Sequence, residues 1–428
     1  MPVQKTKYLV IGAGISGLSF AERLKDTDYL ICEADAEPGG YCKTITQGGF
    51  VWDYSGHFFH FRDPEIEKYL VSRMGPGEVL KIKKESRIYY ANGFIDFPFQ
   101  KNIHQLPKNE FIDCLVDLYF KESRSDTDSS FESMLYEKFG QSIAEKFLVP
   151  YNEKLYATKL SNLDPGAMGR FFPYADLDSI IANFRQSDNQ SYNTTFTYPR
   201  GGAIQYVNAL LSGVVPERVL LSEPVETIDT HARRARTSKR EIEYEYLISS
   251  APLDSLLKMC GFRFDDSIFT CNKVLVFNLG FSEKGPKGVH WIYFPQRELS
   301  FYRVGFYDNI FDSDRMSLYV EVGYPRNELL DDSKISQVRQ RVLSDLRSTG
   351  IQKGQELLEH AHVVLDPAYV HITERSNREV AEYKHLLAAL GVYSTGRYGS
   401  WTYCSIEDNI KEARLLADRF NRLSAEIP

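Results

Sequence analysis

The sequence of 428 residues contains no Cys-x-x-Cys pair, no cysteine with histidine at metal-ligand spacing and no long apolar run. Each absence excludes a class of protein. The six cysteines (Cys32, Cys42, Cys114, Cys260, Cys271 and Cys404) stand singly. No disulfide framework or metal centre is therefore expected, and they read as reduced thiols. No stretch approaches the roughly 20 apolar residues of a membrane-spanning helix. The N-terminus runs straight into strand-like sequence without an apolar signal core, which makes a cytoplasmic location the expectation. Excess positive charge is also missing. The 51 Lys and Arg against 58 Asp and Glu give a net charge of −7, which argues against a nucleic-acid partner. No Ser-His-Asp or Cys-His constellation stands out.

What the chain has in quantity is rings: 27 Tyr and 27 Phe, enough for a large core or for a pocket lined with aromatics. Its length predicts two or three regions. The pattern over residues 7–33 is strand, glycine-rich turn, helix, strand. Residues 101–150 repeat at helical spacing, with polar loops at 123–130 and 185–195. Strand-like alternation follows at 273–281, 301–307 and 317–323, then a helix over 332–347. A strand at 391–394, a glycine-rich turn and a helix over 406–423 close the chain.

The first turn carries the chemistry. Lys7-Tyr8-Leu9-Val10-Ile11 reads as a buried strand, followed at once by Gly12-Ala13-Gly14-Ile15-Ser16-Gly17. Gly12 permits the tight turn, Gly14 lets backbone approach a pyrophosphate and Gly17 lets helix and strand pack closely. The phosphates would rest at the helix N-terminus, beside Ile15 and Ser16. Glu33 closes the second strand, where an acid accepts hydrogen bonds from ribose hydroxyls. Three further features favour FAD over NAD: Gly39-Gly40 just beyond the acid, the strand-like Pro224-Val225-Glu226-Thr227-Ile228, and Gly396-Arg397-Tyr398-Gly399 before the last helix, near whose start lies Asp408.

In this order the features resemble the flavin amine oxidase superfamily. Within it, four segments are similar to the UDP-galactopyranose mutases of eukaryotic type: Asp53-Tyr54-Ser55-Gly56-His57, Tyr151-Asn152-Glu153-Lys154-Leu155-Tyr156, Phe301-Tyr302-Arg303, and Gly396 through Tyr403. The chain departs from them at Ser55, where glycine is usual, and at Cys404 through Asn409, where Glu407 replaces an amide.

The resemblance implies an α/β fold: a Rossmann-like FAD-binding domain with a parallel sheet, an inserted helical region and a mixed-sheet substrate region. The expected boundaries are 1–100, 196–260 and 376–428 for the FAD-binding parts, 101–195 for the helices and 261–375 for the substrate sheet. It also implies an NDP-sugar pyranose–furanose mutase active with reduced FAD, with NADH or NADPH as reductant, in cell-surface polysaccharide biosynthesis. Flavin N5 would attack the anomeric carbon, nucleoside diphosphate would leave, and the sugar ring would open and reclose. His57 would tune the flavin beside Gly56, while Arg170, Arg303, Tyr369 and Tyr403 would hold the diphosphate. Arginine forks match phosphate oxygens, so the assignment is physically sound. The residues alone leave alternatives: Arg303 paired with an internal carboxylate, Arg170 a solvated loop residue, His57 a satisfied core histidine. An FAD-dependent oxidoreductase acting on an amine or a porphyrinogen-like ring is the rival activity.

Overall fold

The computed structural model describes residues 3–121, 129–185 and 194–425. Most of the two polar loops expected at 123–130 and 185–195 lies outside the described residues. The rest is α/β. Two seven-stranded sheets form its frame, with two small two-stranded sheets beside them.

The first sheet has a parallel centre. Val3–Ile11 lies between Tyr29–Cys32 and Glu241–Ser249; Val219–Leu220 and Val392–Ser394 extend it on either side, all in parallel. Apolar residues fill both faces of these strands, as a sheet covered by helices requires. The expected parallel sheet nevertheless has an antiparallel part, because Val225–Asp229 and Arg234–Thr237 form a hairpin on Glu241–Ser249. The turn between them is too short for a parallel crossover, and Asp229 closes it by accepting from the N–H groups of His231 and Ala232.

Helix Ile15–Arg23 covers one face of this sheet and is itself covered by the C-terminal helix Ile406–Ala425. Tyr8, Phe20 and Phe420 interlock edge to face, with centroids 5.3 to 6.2 Å apart. A Cβ on Gly17 would stand 1.9 Å from the Gly12 carbonyl oxygen, so helix and strand can approach this closely only with glycine there.

The second sheet runs Leu357–Leu365, Asn272–Phe281, Ser317–Pro325, Arg303–Phe306, Trp291–Tyr293, Ser86–Tyr90, Gly93–Asp96. Helix Asp332–Ser348 packs its buried residues, Ile335, Val338, Val342 and Leu346 among them, on one face. This sheet therefore begins inside the first hundred residues, not at 261. Ser86–Tyr90 pairs in parallel with Trp291–Tyr293, about two hundred residues on, and no local pattern announces such a partner. The helical region comprises Lys108–Tyr119, Phe131–Ile143, Val149–Tyr156 and Leu177–Arg185. Among the described residues, no helix is long and apolar enough to cross a membrane.

Buried titratable groups tie these layers together. Asp53 is fully buried and accepts from the Tyr198 hydroxyl at 2.6 Å, the Thr44 hydroxyl at 2.7 Å and the Ala203 N–H at 2.9 Å. Burial raises the Asp53 and Asp308 carboxyls to about 6 and depresses His57, His60 and His290 to about 4. The signs oppose each other. A depressed histidine contributes stability above its unfolded value near 6.5 that is lost as pH falls toward 4. A raised aspartate contributes stability near pH 4 that is lost as pH rises through 6. Three histidines outnumber two aspartates, each worth at most about 1.4 kcal/mol per pH unit. Thermal melts should therefore show a lower Tm at pH 5 than at pH 7; a higher one would mean that the aspartates dominate.

Candidate active site: a dinucleotide cleft opening on an aromatic pocket

A cleft of about 540 Å³ runs across the carboxyl ends of the parallel strands, within the range of sites that enclose an organic ligand. Gly12, Gly14, Ile15, Ser16, Glu33, Gly39, Gly40, Val225 and Arg397 all line it, as does His57. Gly12 takes φ +98°, a turn that glycine makes without strain. Gly14 is the N-cap of helix Ile15–Arg23 and carries no side chain to occupy the free N–H groups, which therefore face the cleft. The Gly39-Gly40 loop lies against this turn, with Gly39 N–H donating to the Ala13 carbonyl at 2.9 Å. Glu33, nearly buried, is held by the N–H groups of Ala13 (2.6 Å) and Asp35 (2.9 Å), so its remaining lone pairs can accept from ribose hydroxyls. These residues fit FAD: a phosphate seat at a helix N-terminus, a fixed ribose acceptor and a strand edge at Val225.

Some expected cofactor residues stand elsewhere. Gly17 makes the helix–strand contact and does not line the cleft. Gly56 faces the neighbouring pocket, and a Cβ there would meet the Tyr319 hydroxyl at 2.4 Å. Gly396 lies behind the wall, against Ser16. Asp408 points away: it is bound to Arg170 at 2.6 Å and accepts from Ser405 N–H at 2.8 Å. The last helix presents Ile406 and Asn409 to the cleft instead, because Asp408 serves as part of its N-terminal turn. Glu407, the departure from the mutase pattern, accepts from the N–H groups of Arg62 and Asp63 at 2.8 and 2.7 Å.

Beside the cleft lies a pocket of about 210 Å³ walled by rings, among them Phe58, Tyr151, Trp291, Tyr293, Tyr369 and Tyr403; Gly56 and Phe58, on either side of the cleft residue His57, both line it. His57 stands at the junction. Its ring is uncharged near neutrality, and its Nδ1 is buried without a partner, unlike a core histidine bonded on both sides. Tyr369 and Tyr403 stack at 5.8 Å, and Arg397 lies over both, 5.3 and 4.7 Å from their centroids.

The three arginines differ in what neutralises them. Arg303 lines the pocket, but its Nε and one terminal nitrogen donate to Glu321 at 2.7 and 2.8 Å. Glu321 is 1% exposed and also takes the Ser55 hydroxyl. Burial penalises its carboxylate, yet Arg303 and Ser55 hold its pKa below the usual value. Arg303 is thus an internal partner first, and its charge is not free for a ligand. Arg170 is likewise paired with Asp408 and lies outside this pocket. Arg397 has no such partner. It makes only long contacts, 3.5 Å, to the carbonyls of Cys404 and Ala368, and its buried Nε is unsatisfied. Among the described residues, no carboxylate forms an ion pair with it, while three tyrosines surround it. Glu321 and the uncompensated state of Arg397 are the features that sequence reasoning missed. Register alone carried a signal, since Arg303 and Glu321 are direct neighbours across adjacent strands.

Comparison with known proteins agrees with this architecture. The structure superposes on that of a reduced UDP-galactopyranose mutase with a TM-score of 0.89 at 24% identity, covering 98% of this chain and 95% of that one. An Exiguobacterium protein assigned as a protoporphyrinogen oxidase gives 0.76 at 16% identity, over 99% of each chain. At these identities the likeness shows the fold alone. In sequence, protoporphyrinogen oxidase 2 of Arabidopsis thaliana is 25% identical over 198 residues, which are 42% of this chain and only 38% of the relative. The protoporphyrinogen oxidase of Nicotiana tabacum matches at 23% over 31% of its length. The model of the flavin containing amine oxidoreductases matches residues 15–420, nearly the whole sequence, and the chain belongs to that family.

Proposed function

We propose that the protein is an FAD-dependent nucleotide-sugar mutase, interconverting pyranose and furanose rings without net redox change. Arg397 is the observation that carries this reading. A part-buried guanidinium with no carboxylate, lining the cleft and lying over the pocket rings Tyr369 and Tyr403, calls for an anion supplied from outside the chain. A ligand diphosphate is such an anion, and the stacked Tyr369 and Tyr403 add hydroxyls beside it.

Bound in its reduced form, FAD supplies the nucleophile toward the anomeric carbon. The chain's own residues do the rest. Arg397 stabilises charge developing on the departing diphosphate, the ring wall excludes water, and the tyrosines orient the leaving group. Neutral His57 adds no charge at the junction, so activity should show no limb from its titration between pH 6 and 9.

The oxidoreductase reading draws on the protoporphyrinogen oxidase relatives. A cationic amine is disfavoured beside Arg397. A rigid tetrapyrrole is too large for a pocket of about 210 Å³, whereas an extended nucleotide sugar can leave one end at the mouth. Activity should require the reduced flavin and give many turnovers per reduction. Hydrogen peroxide formation, or reductant consumed in step with product, would favour the oxidase.

Arg397→Met should lower UDP affinity by about 1.5–3 kcal/mol, roughly ten- to a hundredfold, with the melting transition little changed. Isothermal titration with UDP checks it. Unchanged UDP affinity would leave the mutase reading without its carrying observation.

A further inference from the structure

A small chamber of about 60 Å³ shares His57, Arg397 and Tyr398 with the cleft and reaches Ser55, Tyr302 and Glu321. It is far below the size that holds an organic ligand, but a water needs only about 10–15 Å³ of such space. Among the described residues, two buried atoms of this lining have no hydrogen-bond partner: Nδ1 of His57 and Nε of Arg397. Leaving either one dry costs free energy. The Arg397 Nε–H can only donate, whereas Nδ1 of an uncharged imidazole donates or accepts according to its tautomer. The charges around the ring decide which. Burial acts most strongly on His57, then Glu321, then the cations Arg397 and Arg303. Glu321 is matched by Arg303, which it binds at 2.7 and 2.8 Å, and it also takes the Ser55 hydroxyl, so most of its lone pairs are used. Arg397 remains as the unmatched charge, and a cation favours a lone pair over a further N–H on its side of the ring.

We infer that one ordered water in this chamber bridges Arg397 to His57, accepting from Nε–H and donating to Nδ1, and so keeps the His57 proton on Nε2. The Tyr302 hydroxyl, buried beside Glu321, can donate or accept and offers the water a third contact. The other ring nitrogen, Nε2, is not sealed off as Nδ1 is. His57 therefore serves the site as a hydrogen-bond donor, suited to a carbonyl oxygen, ring nitrogen or phosphate oxygen of what binds there, and not as a proton acceptor. Arg397 gains a second task as the positioning residue that sets this tautomer through the water. The inference rests on the chamber alone and holds for mutase and oxidoreductase alike.

Two measurements on the FAD-bound protein test it. A crystal structure fine enough to show ordered solvent should contain one water within about 2.7–3.2 Å of both atoms. An empty chamber, a water touching only one of the two atoms, or a halide ion, which accepts only and would need Nδ1–H, would overturn the bridge. Nitrogen NMR of protein labelled in the imidazole rings reads the tautomer, because bare and protonated ring nitrogens differ widely in shift; comparison with His57→Gln assigns the signals. At pH 7 the parent should carry the proton on Nε2. Arg397→Met should lower the ratio of Nε2–H to Nδ1–H forms by roughly two- to tenfold, the span of a single hydrogen bond. Nδ1–H as the main form in the parent, or one ratio shared by parent and Arg397→Met, would overturn the inference. Neither result bears on the mutase reading, which stands or falls on UDP affinity and turnover.

Discussion

Replacing Arg303 by alanine should destabilise the protein by about 3–5 kcal/mol, the usual consequence of stranding a buried charge. The partner left behind is Glu321, 1% exposed and bound through both oxygens to the guanidinium. With Arg303 gone, the Ser55 hydrogen bond is left to oppose burial without the guanidinium charge, and the pKa of that carboxylate should rise. The variant should therefore lose stability more steeply above neutral pH than the parent. UDP affinity per folded molecule should fall much less than in Arg397→Met. Denaturant titrations at pH 6 and pH 8, with UDP binding on the same samples, decide the matter. A variant of unchanged stability that cannot bind UDP would return Arg303 to the role of ligand residue. Arg303→Ala with Glu321→Gln should recover part of the loss, because the uncompensated carboxylate is then absent.

Gly14→Val should give the other large effect: a folded protein without FAD. A Cβ on Gly14 meets nothing closer than the Gly40 backbone at 3.9 Å, an ordinary contact, so the chain itself tolerates the substitution. The branched methyls would instead reach into the cleft that Gly14 lines, at the N-terminus of the phosphate-binding helix. The right reference is wild-type apoprotein, whose Tm the variant should match, since holoprotein carries the added stability of ligand linkage. Gly17→Ala provides the contrast. Its Cβ would overlap the Gly12 carbonyl oxygen at 1.9 Å, so that variant should fail to fold well. If Gly14→Val protein remains yellow and releases FAD on denaturation, the phosphate seat has been assigned to the wrong turn.

The contrast between these residues also explains what the sequence could reveal. The dinucleotide turn is local: strand, glycines, helix and Glu33 lie within about thirty residues, so their spacing carries the geometry. The pairing of Arg303 with Glu321 needs the register of two strands, and the wall built from Phe58 and Trp291 needs a contact between residues 233 positions apart. Composition suggested a ring-lined pocket but could not say which rings. Trp401, in the motif that supported the family resemblance, is 2% exposed and packs on Phe269 in the core. Asp408 and Asn409 show the limit of motif transfer. One position along a helix turns a side chain by about 100°, which is enough to exchange a cleft residue for a helix-end partner of Arg170.

The interleaved first sheet has a consequence for how the protein is made. Val3–Ile11 finds its neighbour in Glu241–Ser249, and Tyr8 is covered by Phe420, close to the other end of the chain. At about 5–20 residues per second, the ribosome would need roughly 20–80 s to make the residues between Tyr8 and Phe420. During that interval the strand that carries the glycine turn has apolar faces and no complete sheet to join. Such long-range closure is slow and exposes the nascent chain to aggregation. Recombinant yield should accordingly depend on chaperone supply, and fragments ending before Val392–Ser394 should be recovered mainly as insoluble protein.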